Sequence, residues 1–121
     1  MSEPIINHEI VEYKEDEPFL IKHAWVQNIK EETLRPHWHE ELEIILTLHG
    51  HSDYYIDGTH IQAQPGRLIT INSESVHNIL ADTCYEGSDP MAVIILIHQK
   101  FLVENMSALQ DLYRATSGCH R

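Results

Sequence analysis

The segment His37-Trp38-His39-Glu40-Glu41-Leu42-Glu43 places two imidazoles and three carboxylates within seven residues. On an extended strand, residues two apart share a face. His37, His39 and Glu43 are therefore predicted to project together, with Ile45, Thr47 and His49 continuing that face. Imidazole nitrogens and carboxylate oxygens suit first-row transition metals, and Ni, Zn, Fe and Mn would all fit such a site. His77, which opens a strand after the Asn72–Ser75 turn, is a fourth candidate ligand. Nothing in the spacing brings it near His37, so that step depends on the fold. The same residues also suit a polar lining that binds an organic molecule through hydrogen bonds. His49, His51 and His60 read as rim residues. Trp38, between two ligand candidates, is expected on the opposite face.

The surrounding pattern is that of strands. Phe19 to Ile29 and Leu42 to Leu48 alternate apolar and polar residues. Tyr54-Tyr55-Ile56 runs into Asp57-Gly58, a strong hairpin signal, and Ile61 to Ala63 returns from it. Gln64-Pro65-Gly66 is a turn, Leu68 to Ile71 a strand, and Val76 to Leu80 another. Glu31 to Pro36 reads as a loop. Ala92 to His98 is a continuous apolar run, as a strand buried on both faces would show. Only the tail is helical in pattern, with Leu102, Met106, Leu109, Leu112 and Tyr113 on one stripe. Residues 1–18 are an acidic lead-in, 19–98 the strand-rich body, and 99–121 a helix and short tail. Strands at this spacing imply an all-β sandwich or small barrel.

Composition narrows the function classes. The chain has 121 residues, which suits one domain, and a net charge of -11. That charge argues against gripping nucleic acid or an anionic membrane directly, since both need surplus Lys and Arg. The 2 cysteines make no disulfide framework. No secretory signal is visible, so a cytoplasmic setting is expected.

With these elements placed, a family resemblance becomes legible. His37-x-His39-x3-Glu43-x6-Gly50 resembles the first signature of the cupin superfamily, whose fold is a double-stranded β-helix, or jelly-roll, barrel. Gly58, Pro65-Gly66 and His77 resemble the second signature, which supplies the last metal ligand. More narrowly, Pro36-His-Trp-His-Glu-Glu-Leu-Glu-Ile44, Tyr54-Tyr55-Ile56-Asp57-Gly58 and Pro65 to Asn72 are similar to the N-terminal sensor domain of AraC-type transcription regulators. The resemblance implies an all-β cupin-like barrel with a C-terminal α-helix, binding a small effector such as a sugar. His37, His39, Glu43, Ile45, Thr47, Tyr54, Tyr55 and His77 would line that pocket. His37, His39, Glu43 and His77 would form a 3-His-1-Glu site for one divalent metal.

It further implies a homodimer through the outer barrel face and the C-terminal helix. Leu42, Ile44, Leu46 and Leu48 point outward if the histidines point inward, and they need cover. DNA binding would belong to a helix-turn-helix domain that this chain lacks, so the chain is expected to be a sensor fragment. The alternative is a stand-alone metal-dependent cupin enzyme of dioxygenase, isomerase or decarboxylase type, with no separate catalytic base. A plain carbohydrate-binding module ranks last, because few aromatic residues are present for stacking.

Overall fold

In the computed structural model, residues 6–12, 17–80 and 85–105 are described. Met106, Leu109, Leu112 and Tyr113, which carry most of the expected helix stripe, lie outside them. So does most of the tail.

The alternating segments form β1 (Asn7–His8), β2 (Phe19–Ala24), β3 (His37–Trp38), β4 (Leu42–Thr47), β5 (Ser52–Ile56), β6 (Thr59–Ala63), β7 (Leu68–Ile71), β8 (His77–Ile79) and β9 (Ala92–Ile97). Among the described residues, one sheet has the order β1-β3-β8-β5-β6 and the other β2-β9-β4-β7. All pairs are antiparallel except β1 with β3. Ile45, Ile71 and Ala92 from one sheet pack with Tyr54, Ile56 and Ile79 from the other, so the sheets face each other across one core. This is the all-β, cupin-like architecture.

The turns follow local chemistry. Asp57 and Gly58 both take positive φ, 49° and 81°, as a two-residue hairpin between right-twisted strands requires. At Gln64-Pro65-Gly66-Arg67, the Arg67 N–H donates to Gln64 O at 3.0 Å, and Gly66 supplies the positive φ.

Three expectations are corrected. Glu31–Leu34 is a single helical turn, α1, not a loop. Thr33 closes it with its N–H and hydroxyl both donating to Lys30 O, and Glu31 and Glu32 sit in its first turn, where carboxylates are favoured. The ligand-bearing stretch is not one strand. It leaves the ladder at residues 39–41, and β3 and β4 belong to different sheets. The inward sense survives the crossing as far as Thr47, but His49 lies beyond the strand end and is exposed. Finally, β9 is not buried on both faces. Ala92 and Leu96 are buried on its inner side, while Val93, Ile95 and Ile97 are only half-buried.

The last point exposes a surface. Across the outer face, Ile21 pairs with Ile95 and Ile95 with Ile44; Phe19 pairs with Ile97 and Ile97 with Leu42. Phe19, Ile21, Leu46 and Leu68 on this sheet are 41–60% exposed. α2 (Gln99–Glu104) follows β9 directly. No helix among the described residues is long and apolar enough to cross a membrane.

Candidate functional site

Register brings the histidines together. His37 on β3 and His77 on β8 are direct cross-strand partners. Their ring centroids are 4.3 Å apart, and His39 lies 4.9 Å from His77. Glu43 approaches from the opposite sheet. Its carboxylate accepts from His39 Nε2 at 2.9 Å and lies 3.6 Å from His77 Nε2, beyond hydrogen-bond distance. His37, His39, Glu43 and His77 are all buried.

Each histidine is anchored the same way. Nδ1 of His37 meets Arg35 O at 2.9 Å, Nδ1 of His39 meets Glu41 O at 3.2 Å, and Nδ1 of His77 meets Ser75 O at 2.8 Å. A carbonyl only accepts, so these Nδ1 atoms carry the proton. For His37 and His77 that leaves Nε2 as a bare lone pair when the ring is neutral. The backbone holds the loop beside them. The Glu74 N–H donates to His39 O at 2.8 Å, and Glu74 takes a left-handed φ of 67° to do so.

The charge states follow. Burial pushes the Glu43 carboxyl up, but the His39 hydrogen bond and the His77 ring outweigh it and hold it down at about 2. Burial pulls His39 down, yet its hydrogen bond to Glu43 and that group's charge raise it above the ordinary imidazole value. His39 thus sits as an imidazolium against a carboxylate. His37 is lowered, mainly by burial, and stays neutral. The Tyr54 hydroxyl is raised by burial and by the Glu43 charge.

His39, Glu43 and His77 each offer one ligand atom, all within 4.8 Å of one another. His77 Nε2 is buried with no hydrogen-bond partner and faces the Glu43 carboxylate. Two acceptors opposed in this way call for a cation or a proton between them. Imidazoles fixed by backbone carbonyls are the usual support of a metal ligand, and His39 would give up its Nε2 proton to bind one. The residues therefore fit a divalent transition metal. Three of the four predicted ligands are grouped, and His37 stands beside them.

A cavity of about 400 Å³ opens on this cluster. Of the residues expected around an effector, His37, Glu43, Thr47, Tyr54 and His77 line this cavity. Other predicted pocket residues are elsewhere. Ile45 is fully buried in the hydrophobic core, and His39 lies behind Glu43 rather than in the wall. Tyr55 is 43% exposed on the outer side of β5, with its ring 5.6 Å from His60. Sequence reasoning missed Ser52, Ile79 and Met91 in the wall, and Glu9, Lys22 and Lys30 beside them. Parity could have found two of these: Ser52 lies two before Tyr54 and Ile79 two after His77. Glu9 reaches the site because β1 pairs with β3, which leaves its carboxylate 3.9 Å from His37 Nε2.

Residues 27–88, about half of the chain, match the family of the AraC-like ligand binding domain. Among solved structures, the plu4264 protein from Photorhabdus luminescens is 16% identical with a TM-score of 0.43, over 76% of this chain and 62% of that one. A cupin 2 conserved barrel domain protein from Leptotrichia buccalis is 19% identical with a TM-score of 0.44, over 74% of this chain and 44% of that one. The chain thus spans less than two thirds of either protein. No curated protein matches it.

Proposed function

This chain belongs to the AraC-like ligand binding domain family, and from that premise we propose that it is the effector-sensing and dimerisation domain of a transcription regulator. A small organic effector would bind inside the barrel. The observation that carries this reading is the cavity of about 400 Å³, which is of ligand size and combines an apolar wall with convergent polar groups. Binding would fix the β1 segment and the barrel mouth in one arrangement. That would bias an attached helix-turn-helix domain, because a ligand shifts an equilibrium by its difference in affinity for the two states. DNA contact would fall to that domain, since this chain carries a charge of -11. The apolar outer face of the β2-β9-β4-β7 sheet, with the C-terminal helix, would pair two copies. Such a regulator would work in the cytoplasm.

The site also supports a bound metal. His39, Glu43 and His77 would hold it, with His37 adjacent. When bound, it would supply a Lewis acid that polarises an effector oxygen or, in an enzyme, a carbonyl or water. The alternative is a metal-dependent cupin enzyme, for which the backbone-anchored imidazoles support the metal alone.

Thermal unfolding of the purified chain against a panel of sugars, amino acids and organic acids tests the sensor reading. One class should raise Tm by about 5–10 °C at a hundredfold excess over Kd. Thr47→Leu, which fills the cavity, should abolish the shift. Silence across the panel would overturn the reading, and turnover of the stabilising compound would favour the enzyme. Elemental analysis of protein purified without a nickel column tests the metal, with one equivalent expected.

A further inference from the structure

We propose that Glu41 is a positioning residue of the candidate metal centre, whose buried carboxylate backs the His39 ring and strengthens that imidazole as a ligand; this rests on the metal reading of the site. His39 is the most enclosed of the ligand candidates, at 1% exposed. A carboxylate flanks its ring at each nitrogen. Glu43 meets Nε2 at 2.9 Å, and Glu41 Oε1 lies 3.7 Å from Nδ1. Glu41 is itself buried, with its side chain 6% exposed.

His39 differs in this from the other two histidines. His37 and His77 rest Nδ1 on the carbonyl two residues before them, Arg35 O and Ser75 O. His39 uses the carbonyl two residues after it, Glu41 O, and at 3.2 Å that bond is the longest of the three. The residue that accepts from Nδ1 through its backbone thus also brings a carboxylate to it. Neither Arg35 nor Ser75 can supply a negative charge in that place. The cause is local. The chain leaves the ladder at residues 39–41 as it passes from one sheet to the other, and the crossing brings both polar groups of residue 41 to the ring.

A carboxylate taken out of water needs positive charge beside it. Among the described residues, no Lys or Arg pairs with Glu41, and its ion contact is with His39 alone. The cavity of about 100 Å³ on its far side is bordered by His8, Glu9, Glu40 and His98, and by no Lys or Arg. In metal-free protein, Glu41 and Glu43 therefore share one imidazolium. A divalent ion on the Nε2 side would set two positive charges against these two carboxylates. A carboxylate behind a ligating imidazole also fixes its ring and makes its free nitrogen a stronger donor. The competing role for Glu41 is an ion pair that holds the crossing in place whether or not metal binds. Glu40, next in the chain and exposed, carries the same charge without the contact and serves as the control.

The test is equilibrium dialysis against Zn²⁺, with the visible spectrum of the Co²⁺ form, in the wild-type chain, Glu41→Gln, Glu41→Asp and Glu40→Gln. Glu41→Gln should lower Zn²⁺ affinity by about 10–100-fold, the usual cost of losing the support behind a ligand. It should also move the Co²⁺ absorption bands, which respond to the donor strength of the ligands. Glu41→Asp keeps the charge on a shorter arm and should lose less. Glu40→Gln should change neither readout. A purely structural ion pair would lower the Tm of metal-free Glu41→Gln and leave Zn²⁺ affinity and the Co²⁺ bands at their wild-type values. That result in Glu41→Gln, or in Glu41→Asp should only that variant fold, would overturn the proposal while the metal reading stands. An equal loss of affinity in Glu40→Gln would overturn it as well, by making the effect one of net charge at a distance. A wild-type chain that binds no Zn²⁺ would overturn the metal reading itself.

Discussion

Glu43 is the group on which the charge of the site turns. It is a buried carboxylate kept ionised by two imidazoles, one of which it holds in the protonated form in return. Glu43→Gln keeps the shape but loses the charge, and leaves the raised His39 without its counter-ion. We expect a loss of about 1–3 kcal/mol in metal-free protein, measured by urea unfolding. The same substitution should abolish stoichiometric metal binding, because an amide is a poor partner for a divalent ion. His77 carries the complementary expectation. Its Nε2 already lacks a hydrogen-bond partner, so His77→Ala removes a ligand atom at the cost of the 3.6 Å contact to Glu43 and of no hydrogen bond to another side chain. In equilibrium dialysis, Zn²⁺ or Ni²⁺ affinity should fall by at least about tenfold, in the range seen when metal-site support is lost. If affinity for the ion is unchanged in His77→Ala, the cluster is a hydrogen-bonded lining and not a metal site.

At the scale of elements, turns and registers decide which side chains reach the cavity. Gly58 has a φ of 81°, and a Cβ built there meets nothing within 4 Å. Gly58→Ala should therefore cost about 1–2 kcal/mol from backbone strain alone, measured as a lower urea midpoint with an unchanged slope. The hairpin also sets the phase of β5, which puts Tyr54 inside and Tyr55 outside. Tyr54→Phe should weaken effector binding by about tenfold, the loss of one hydrogen bond to a ligand, while Tyr55→Phe leaves it unchanged in calorimetry. Period-two alternation made the strands, the Asp57-Gly58 turn and the inward sense of His37, His39 and Glu43 legible in the sequence. It could not choose between two adjacent tyrosines, because that depends on a register the turn fixes. It could not show that β3 and β4 part company either, since the crossing at residues 39–41 preserves parity. Ile45 shows another limit: parity gives the face, but tight packing against Tyr54 and Ile71 decides that it is core and not cavity wall. The pairing of His37 with His77 joins residues forty apart, and only the sheet topology supplies it.

At the scale of the whole molecule, an acidic chain presents one apolar sheet face. Phe19, Ile21, Leu46 and Leu68 stand out from it, flanked by half-buried Ile95, Ile97, Leu42 and Ile44. Covering each large side chain of such a face contributes roughly 1.5–3 kcal/mol. A second copy is the proposed cover, and its pairing has an electrostatic signature. Two chains of charge -11 repel, so the apolar contact must outweigh that repulsion. Salt screens the repulsion and leaves the apolar contact intact. Sedimentation equilibrium should therefore show a dimer that tightens as sodium chloride is raised, the opposite of an interface held by ion pairs. Ile21→Lys combined with Leu46→Glu puts charge at the centre of the sheet face, on the side away from the cavity. It should give a monomer whose effector binding is unchanged. A double variant that remains dimeric would place the subunit contact elsewhere, and the apolar face would then have to be covered from within the chain.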